Sequence, residues 1–316
     1  MPATGLVADI GATNTRLALV EPSGTISRIR IFATDEASDL GDTIESYIRA
    51  EAGAERPAQA VLAIAAPITG DEITLTNHPW TFSVESLRSR LGLDSLQVIN
   101  DFVANALAVP HFEKKDLVQI DGGMPVGGAP AAVIGPGSGL GVSALAYLDG
   151  RRVAIQSEGG HVTMVAADAR EAAVLDLLRK RFDHVSAERV LSGPGILNLY
   201  AALCELSGES QEQFTPAQIT DARTGAHHPR AREATQMFCA MLGTIAGNLA
   251  LTLGARGGVY IAGGIVPRLG AAFGQSAFRA RFEAKGRFRD YLAAVPTYVI
   301  TRPHPALLGA ASLLEP

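Results

Sequence analysis

The sequence predicts an α/β protein of two domains, each with a mixed central sheet flanked by helices. Three observations point there. Apolar, strand-like runs alternate along the chain with amphipathic helical segments, the mark of a layered α/β architecture. The length of 316 residues exceeds what one small core usually holds. A strand–loop–strand plan also occurs twice, as ADIGATNTRLALV near the N-terminus and as AVIGPGSGLGVSA in mid-chain.

The elements follow in order. Leu6–Ile10, Thr15–Glu21 and Ile26–Ala33 read as short strands joined by glycine-bearing turns. ASDLGDTIESYIRAEAG reads as a helix, with Leu40, Ile44, Tyr47 and Ile48 at helical spacing and Gly53 as its stop. AVLAIAAPI is a buried strand ended by Pro67, and SVESLRSRLG is a helix capped by Ser83. LQVIN is a strand, and DFVANALAVP is a helix opened by Asp101 as its N-cap and stopped by Pro110. The first domain is therefore placed at residues 1–110 and the second at 111–302. The second opens on the repeated strand–loop–strand, followed by RRVAIQ as a strand and a helix-rich stretch from about Arg170 to Leu253. GGVYIAGGIVP is a strand leaving into a double-glycine turn, TYVI a late strand and ALLGAASLL a final helix.

Composition narrows the function. The net charge of −5 argues against a nucleic-acid partner. None of the four lysines (Lys114, Lys115, Lys180 and Lys285) follows a glycine, so the G-x-x-x-x-G-K-[ST] phosphate loop is absent. Cys204 and Cys239 form no C-x-x-C pair, which excludes a thiolate zinc site and a disulfide framework. MPATGLVADI has no leader pattern, and no apolar run is expected to reach membrane-spanning length. A reducing cytoplasm, with no membrane partner, is the expected compartment.

Several motifs carry chemistry. Asp9 interrupts an apolar strand just before Gly11, Ala12, Thr13 and Asn14. A charge there needs a partner, and a bound cation or a polyphosphate–metal complex would serve. Gly11 and the glycines at 135, 137, 139 and 141 could simply make hairpin turns. Yet GPGSGLG has four glycines in seven residues, more than a turn needs, and Thr13 and Ser138 add a hydroxyl to each loop. Bare main-chain N–H groups beside a hydroxyl make an anion-binding concavity. GLGVSA also satisfies the dinucleotide fingerprint G-x-G-x-x-A. That fingerprint needs a helix next, whereas VSALAYLDGRRVAIQ reads as a hairpin.

Asn100 and Asp101 stand where a strand gives way to a helix, the carboxyl-end position at which open α/β sheets bind ligands. Asp101 serves there as a helix cap, as a base for a substrate hydroxyl, or as both. Glu158 and His161 flank two glycines in SEGGHV, as a polar turn or as ligands. Glu188 is either a solvated helix residue or a ligand, and Ser192 reads as a helix cap. Gly263 and Gly264 make a plain turn or a bare surface for a purine or ribose.

Eight stretches together resemble the bacterial glucokinase family of the actin, Hsp70 and hexokinase ATPase superfamily: DIGATNTRLAL, ITGDEITLTNHPW, VINDFVANALA, GPGSGLGV, EGGHV, SAERVLSGPGILNLY, GGVYIAGGIVPR and FRARFEAKGRF. The resemblance implies a ribonuclease H-like, actin-like ATPase fold with a cleft between the domains. It implies a C-terminal helix, about 303–316, joined to the first domain. It implies transfer of a phosphoryl group from ATP to the 6-hydroxyl of D-glucose, with Mg²⁺, in a homodimer. By the same resemblance Gly11 to Asn14 and Gly135, Gly137, Ser138 and Gly139 hold phosphates, and Asp101 is the base with Asn100 beside it on the sugar. Glu158, His161 and Glu188 match sugar ligands, Gly263 and Gly264 match the adenosine side, and Asp9 matches a carboxylate that meets Mg²⁺ through water. Alanine at 12 and serine at 138 depart from the commoner glycine and threonine. Related sugar kinases carry a zinc-binding cysteine cluster that this chain lacks. A kinase of another hexose and a non-catalytic sugar-binding relative are the alternatives.

Overall fold

The computed structural model describes residues 5–34, 39–53, 56–76 and 78–314. The chain divides into two compact units, Met1–Phe112 with Arg302–Pro316, and Glu113–Thr301.

The first unit opens with β1 (Gly5–Ile10), β2 (Asn14–Val20) and β3 (Ile26–Ala33), then α1 (Leu40–Glu51) and β4 (Gln59–Ile64). A small hairpin follows, β5 (Glu72–Thr74) and β6 (Thr81–Ser83), then α2 (Val84–Leu91), β7 (Ser95–Asn100) and α3 (Asp101–Ala108). The sheet order is β3-β2-β1-β4-β7. β1, β4 and β7 run parallel, and β2 and β3 are antiparallel to their neighbours. One sheet face packs on α1 and α2 through Leu6, Ala8, Ile10, Ile44, Ile48 and Leu87. The other packs on α3 and the C-terminal helix through Val7, Ala18, Val61, Ala63, Ala104 and Leu307.

The structure moves two expected boundaries. β4 stops at Ile64: Ala65 N still bonds to Ile10 O on β1, but Ala66 N turns back to Ile64 O before Pro67 is reached. α1 ends at Glu51, two residues ahead of Gly53, whose φ of +63° follows the cap. Residues 37 and 38 of that expected helix lie outside the described residues.

The second unit begins with β8 (Leu117–Asp121), β9 (Ala131–Pro136), β10 (Leu140–Leu148) and β11 (Arg151–Ser157). Five helices follow: α4 (Ala169–Arg179), α5 (Gly193–Ser207), α6 (Pro216–Ile219), α7 (Ala222–His227) and α8 (Pro229–Leu253). Then come β12 (Val259–Ile261), α9 (Ile265–Leu269), α10 (Ala271–Gly274), α11 (Phe278–Glu283), α12 (Arg289–Ala293) and β13 (Thr297–Ile300). The last helix, α13 (Pro305–Ala311), belongs to the first unit.

The second sheet runs β11-β10-β9-β12-β13-β8. Apart from β8 at its edge, it repeats the first sheet's plan of two antiparallel strands beside three parallel ones. The sequence repeat is thus a topological repeat. The β10–β11 turn has positive φ at Asp149 and Gly150, the two-residue hairpin that the strands' twist favours. Because a strand and not a helix follows GPGSGLG, the dinucleotide reading fails.

α8 corrects one expectation. It is long and apolar enough to cross a bilayer. Its Phe238, Met241, Leu242 and Ile245 are instead buried in the unit's own core with Leu199 and Phe278. Gly243 and Gly247 allow that packing, since a Cβ at either would stand 2.1 or 2.5 Å from a main-chain oxygen of α11.

Candidate active site

In the first unit the predicted residues gather at the carboxyl end of the parallel strands. The register pairs Ile10 with Ile64 and Ile64 with Asn100, so three strand ends lie in one row. Gly11 and Asp101 each stand one residue past that row, about 10 Å apart by two strand spacings. Asp9 lies one residue before it, on β1.

The Gly11–Asn14 turn is closed by Gly11 N donating to Asn14 O at 3.0 Å. Buried Thr34 braces it, donating through Oγ1 to Gly11 O at 2.9 Å and through its main-chain N to Thr13 O at 3.0 Å. The N–H groups of Ala12 and Thr13 take no main-chain partner among the described residues.

At the other strand end, Asn100 is the N-cap of α3 and Asp101 its first helical residue. This corrects the sequence-based cap. Asn100 Oδ1 accepts from Phe102 N at 2.9 Å and Val103 N at 3.2 Å, the bonds a cap makes. Asp101 Oδ1 accepts from Phe102 N at 3.0 Å. Asn100 Nδ2 donates to Ala66 O at 3.2 Å, which leaves it one further hydrogen. Asp101 is half-buried, and its negative charge sits in the favourable field of the helix N-terminus.

Asp9 has a partner the sequence reading missed. The antiparallel register sets Arg16 directly across from it, and Arg16 Nη1 donates to Asp9 Oδ2 at 2.9 Å. Burial pushes the Asp9 carboxyl above its ordinary value, and Arg16 and then His304 pull against that shift. The signal is the register itself: pairing Ile10 with Thr15 across the turn places 9 opposite 16. Arg16 Nε is buried with no hydrogen-bond partner among the described residues.

His304 caps α13 with φ of +52°. Burial holds its imidazole below the usual value, Arg16 adds to this, and Asp9 opposes it. An unfolded chain therefore takes up the proton first, and His304 costs stability as pH falls from about 6.5 through its lower folded value. Asp9 acts in the opposite sense, because its raised value favours the fold at low pH. His304→Asn, which tolerates the left-handed backbone, should accordingly lose less thermal stability than the parent between pH 7 and 5. Parallel melting curves for the two proteins would reject this.

In the second unit three segments converge on the β9–β10 loop. Gly263 has φ of +81°, and a Cβ there would stand 2.2 Å from Pro136 O. A Cβ on Gly160 would stand 1.9 Å from Leu140 O at the loop's far end. Gly193 N, at the start of α5, donates to Gly137 O at 2.8 Å, and Ser192 caps that helix by accepting from Gly195 N at 3.0 Å. So Gly135, Gly137, Ser138 and Gly139 share one neighbourhood with Gly263 and Gly264 on one side and the 158–161 turn on the other. Ser138 is exposed. Its N–H and that of Gly139 take no main-chain partner among the described residues.

Glu158 and His161 border a single 3-10 turn closed by His161 N on Glu158 O, and both side chains are exposed. Glu188 is not on a helix face. It sits in the turn before α5, half-buried, and its Oε2 accepts from Leu140 N at 2.8 Å.

The Glucokinase family profile matches residues 6–316. A protein named glucokinase from Paramagnetospirillum magneticum is 51% identical over 310 residues, covering 98% of this chain and 97% of its own. The chain belongs to the Glucokinase family. Among solved structures, a glucokinase from an Antarctic psychrotroph superposes with a TM-score of 0.88 at 36% identity, covering 98% of each chain. The fold also matches a ROK family glucokinase from Streptomyces griseus solved with glucose and AMPPNP. There the TM-score is 0.66 at 18% identity, with 98% of each chain covered. Family membership agrees with the eight stretches read from the sequence and with the ribonuclease H-like plan of the two sheets.

Proposed function

We propose that this chain transfers the γ-phosphoryl group of ATP to the 6-hydroxyl of D-glucose, giving glucose 6-phosphate and ADP. One observation carries the reading. Within a single unit, a loop of bare main-chain amides adjoins a turn bearing Glu158 and His161 and the carboxylate of Glu188. That arrangement suits a polyphosphate beside a polyhydroxylated acceptor.

The roles follow from chemistry. The N–H groups of Ser138 and Gly139, and of Ala12 and Thr13, donate to phosphate oxygens, and the Thr13 and Ser138 hydroxyls add donors. Gly263 and Gly264 present a surface without side chains to the nucleoside. Glu158, His161, Glu188 and the remaining Asn100 hydrogen meet sugar hydroxyls. Asp101 accepts the proton of the attacking hydroxyl.

The donor set suits Mg²⁺ brought in on the nucleotide. Among the described residues no group of three His, Cys, Asp or Glu could cage a metal, and Mg²⁺ keeps several waters and leans on phosphates plus one or two carboxylates. Asp9, with Oδ2 held by Arg16, would face those waters through Oδ1. When bound, the ion neutralises charge on the transferred group. Beyond the proton taken by Asp101, what is asked of the protein is positioning and fixed dipoles.

An ATP-coupled assay over glucose, fructose, mannose and N-acetylglucosamine tests the reading. Glucose should give the highest kcat/KM, because a carboxylate left without its hydroxyl partner penalises the wrong sugar. A higher value for another hexose would reassign the acceptor, and ADP release without any sugar phosphate would remove the reading.

A further inference from the structure

We infer that Glu188 is a positioning residue for the phosphate loop as well as a sugar ligand, so that sugar and nucleotide strengthen each other's binding through this one carboxylate. The inference rests on the reading of Gly135–Gly139 as that loop.

Glu188 is anchored by its own main chain. Its N donates to Gly160 O at 2.9 Å, and its carbonyl oxygen accepts from Ser192 Oγ at 2.8 Å. The side chain leaves this anchor and places Oε2 on Leu140 N, 2.8 Å away and 48 residues distant in sequence. Leu140 is the residue at which the loop re-enters the sheet, paired with Pro136 on the opposite strand. The loop is built to admit the carboxylate: a Cβ on Gly139 would stand 2.6 Å from Oε2. One glycine therefore serves the tether, separately from any phosphate contact. Oε1 has no hydrogen-bond partner among the described residues, so a sugar hydroxyl can use it while Oε2 keeps Leu140.

The consequence is linkage. A hydroxyl on Oε1 restricts the carboxylate and with it the loop's exit. A nucleotide then meets amides already ordered, and less of its binding energy goes into ordering them. By reciprocity the nucleotide raises sugar affinity by the same factor.

The test uses the full chain, calorimetry with ADP and glucose, and amide exchange over the peptide 137–145. In the parent, saturating glucose should tighten ADP at least about fivefold and slow exchange at Leu140. Glu188→Ala should weaken ADP roughly tenfold with no sugar present, the effect of losing a charge-assisted hydrogen bond, and should speed exchange at Leu140. Glu188→Gln keeps an oxygen for Leu140 N, so it should restore ADP affinity and amide protection while sugar binding stays weak. A residue that only binds sugar would leave ADP affinity and Leu140 exchange unchanged in Glu188→Ala, and that result overturns the inference. If Glu188→Ala does not fold, the parent decides: glucose alone must slow exchange at Leu140, and unchanged exchange overturns the tether. A parent that binds no glucose would instead count against the kinase reading. The sugar-free comparison of Glu188→Ala with the parent would still judge the tether by exchange alone.

Discussion

Replacing Asp101 by Asn should give a folded protein that still binds glucose and ATP but turns over roughly 10²–10⁴-fold more slowly, the range for loss of a general base. The substitution is chosen for what it keeps. An amide oxygen at 101 can accept from Phe102 N as Oδ1 does now, and the α3 cap is Asn100, which is untouched. Helix α3 should therefore stay in place, while the carboxylate's charge and its ability to take a proton are removed. Steady-state kinetics at saturating substrates, with melting curves as the control for folding, make the measurement. The loss should fall on kcat, with KM for glucose changed by far less. Turnover near that of the parent would take the base role from Asp101. A parallel rise in KM for glucose with kcat kept would make it a sugar ligand only.

The identity of the cap shows why part of this site was legible in the sequence and part was not. A polar residue at the junction of LQVIN and DFVANALAV announces a strand giving way to a helix, and the ends of β7 and α3 fall there. Which of two adjacent polar residues caps the helix depends on side-chain geometry, and spacing does not carry that. The two small-residue loops stood out in the sequence because GPGSGLG has more glycine than a turn requires and because Thr13 and Ser138 put a hydroxyl in each. The partners of the charged residues were less so. Arg16 faces Asp9 only once the register of β1 and β2 is known. The bond from Leu140 to Glu188 joins residues 48 apart, and nothing periodic links them.

The same division holds for the fold. Strands buried on both faces read as apolar runs, unbroken in β9 and broken in β1 only by Asp9. β8 escaped notice because LVQID is a half-exposed edge strand whose partner, β13, lies some 180 residues further on. The β5–β6 hairpin escaped because each strand is three residues long. Its neighbour Trp80 is buried in the α1–α2 core, as packing predicts.

The second large effect is expected far from any ligand, at Gly309. α13 crosses α3 with no side chain between them at this point: a Cβ on Gly309 would stand 1.7 Å from Ala104 O and 3.0 Å from Ala108 N. Both obstacles are helix backbone, which cannot step aside as a side-chain tip can. The backbone at 309 is ordinary right-handed helix, so the penalty for Gly309→Ala is steric, and it acts against alanine's better helix propensity. The two helices must part by more than 1 Å, opening the packing of Leu307 and Ala310 against Val7, Ala63 and Ile99. Overpacking of this kind costs about 1–3 kcal/mol, which for a protein of this size lowers the melting midpoint by roughly 1.5–5 °C. Gly70→Ala is the control, since nothing lies within 4 Å of its added Cβ, and it should melt with the parent. Activity adds a second reading. α3 carries Asp101 at its first position and Asn100 at its cap, so pushing α3 away from α13 should also lower kcat at temperatures where the variant is still folded. A Gly309→Ala protein that melts within a degree of the Gly70→Ala control would mean that α13 and α3 do not meet at this contact in solution. The support beneath Asp101 would then have to be sought in another element.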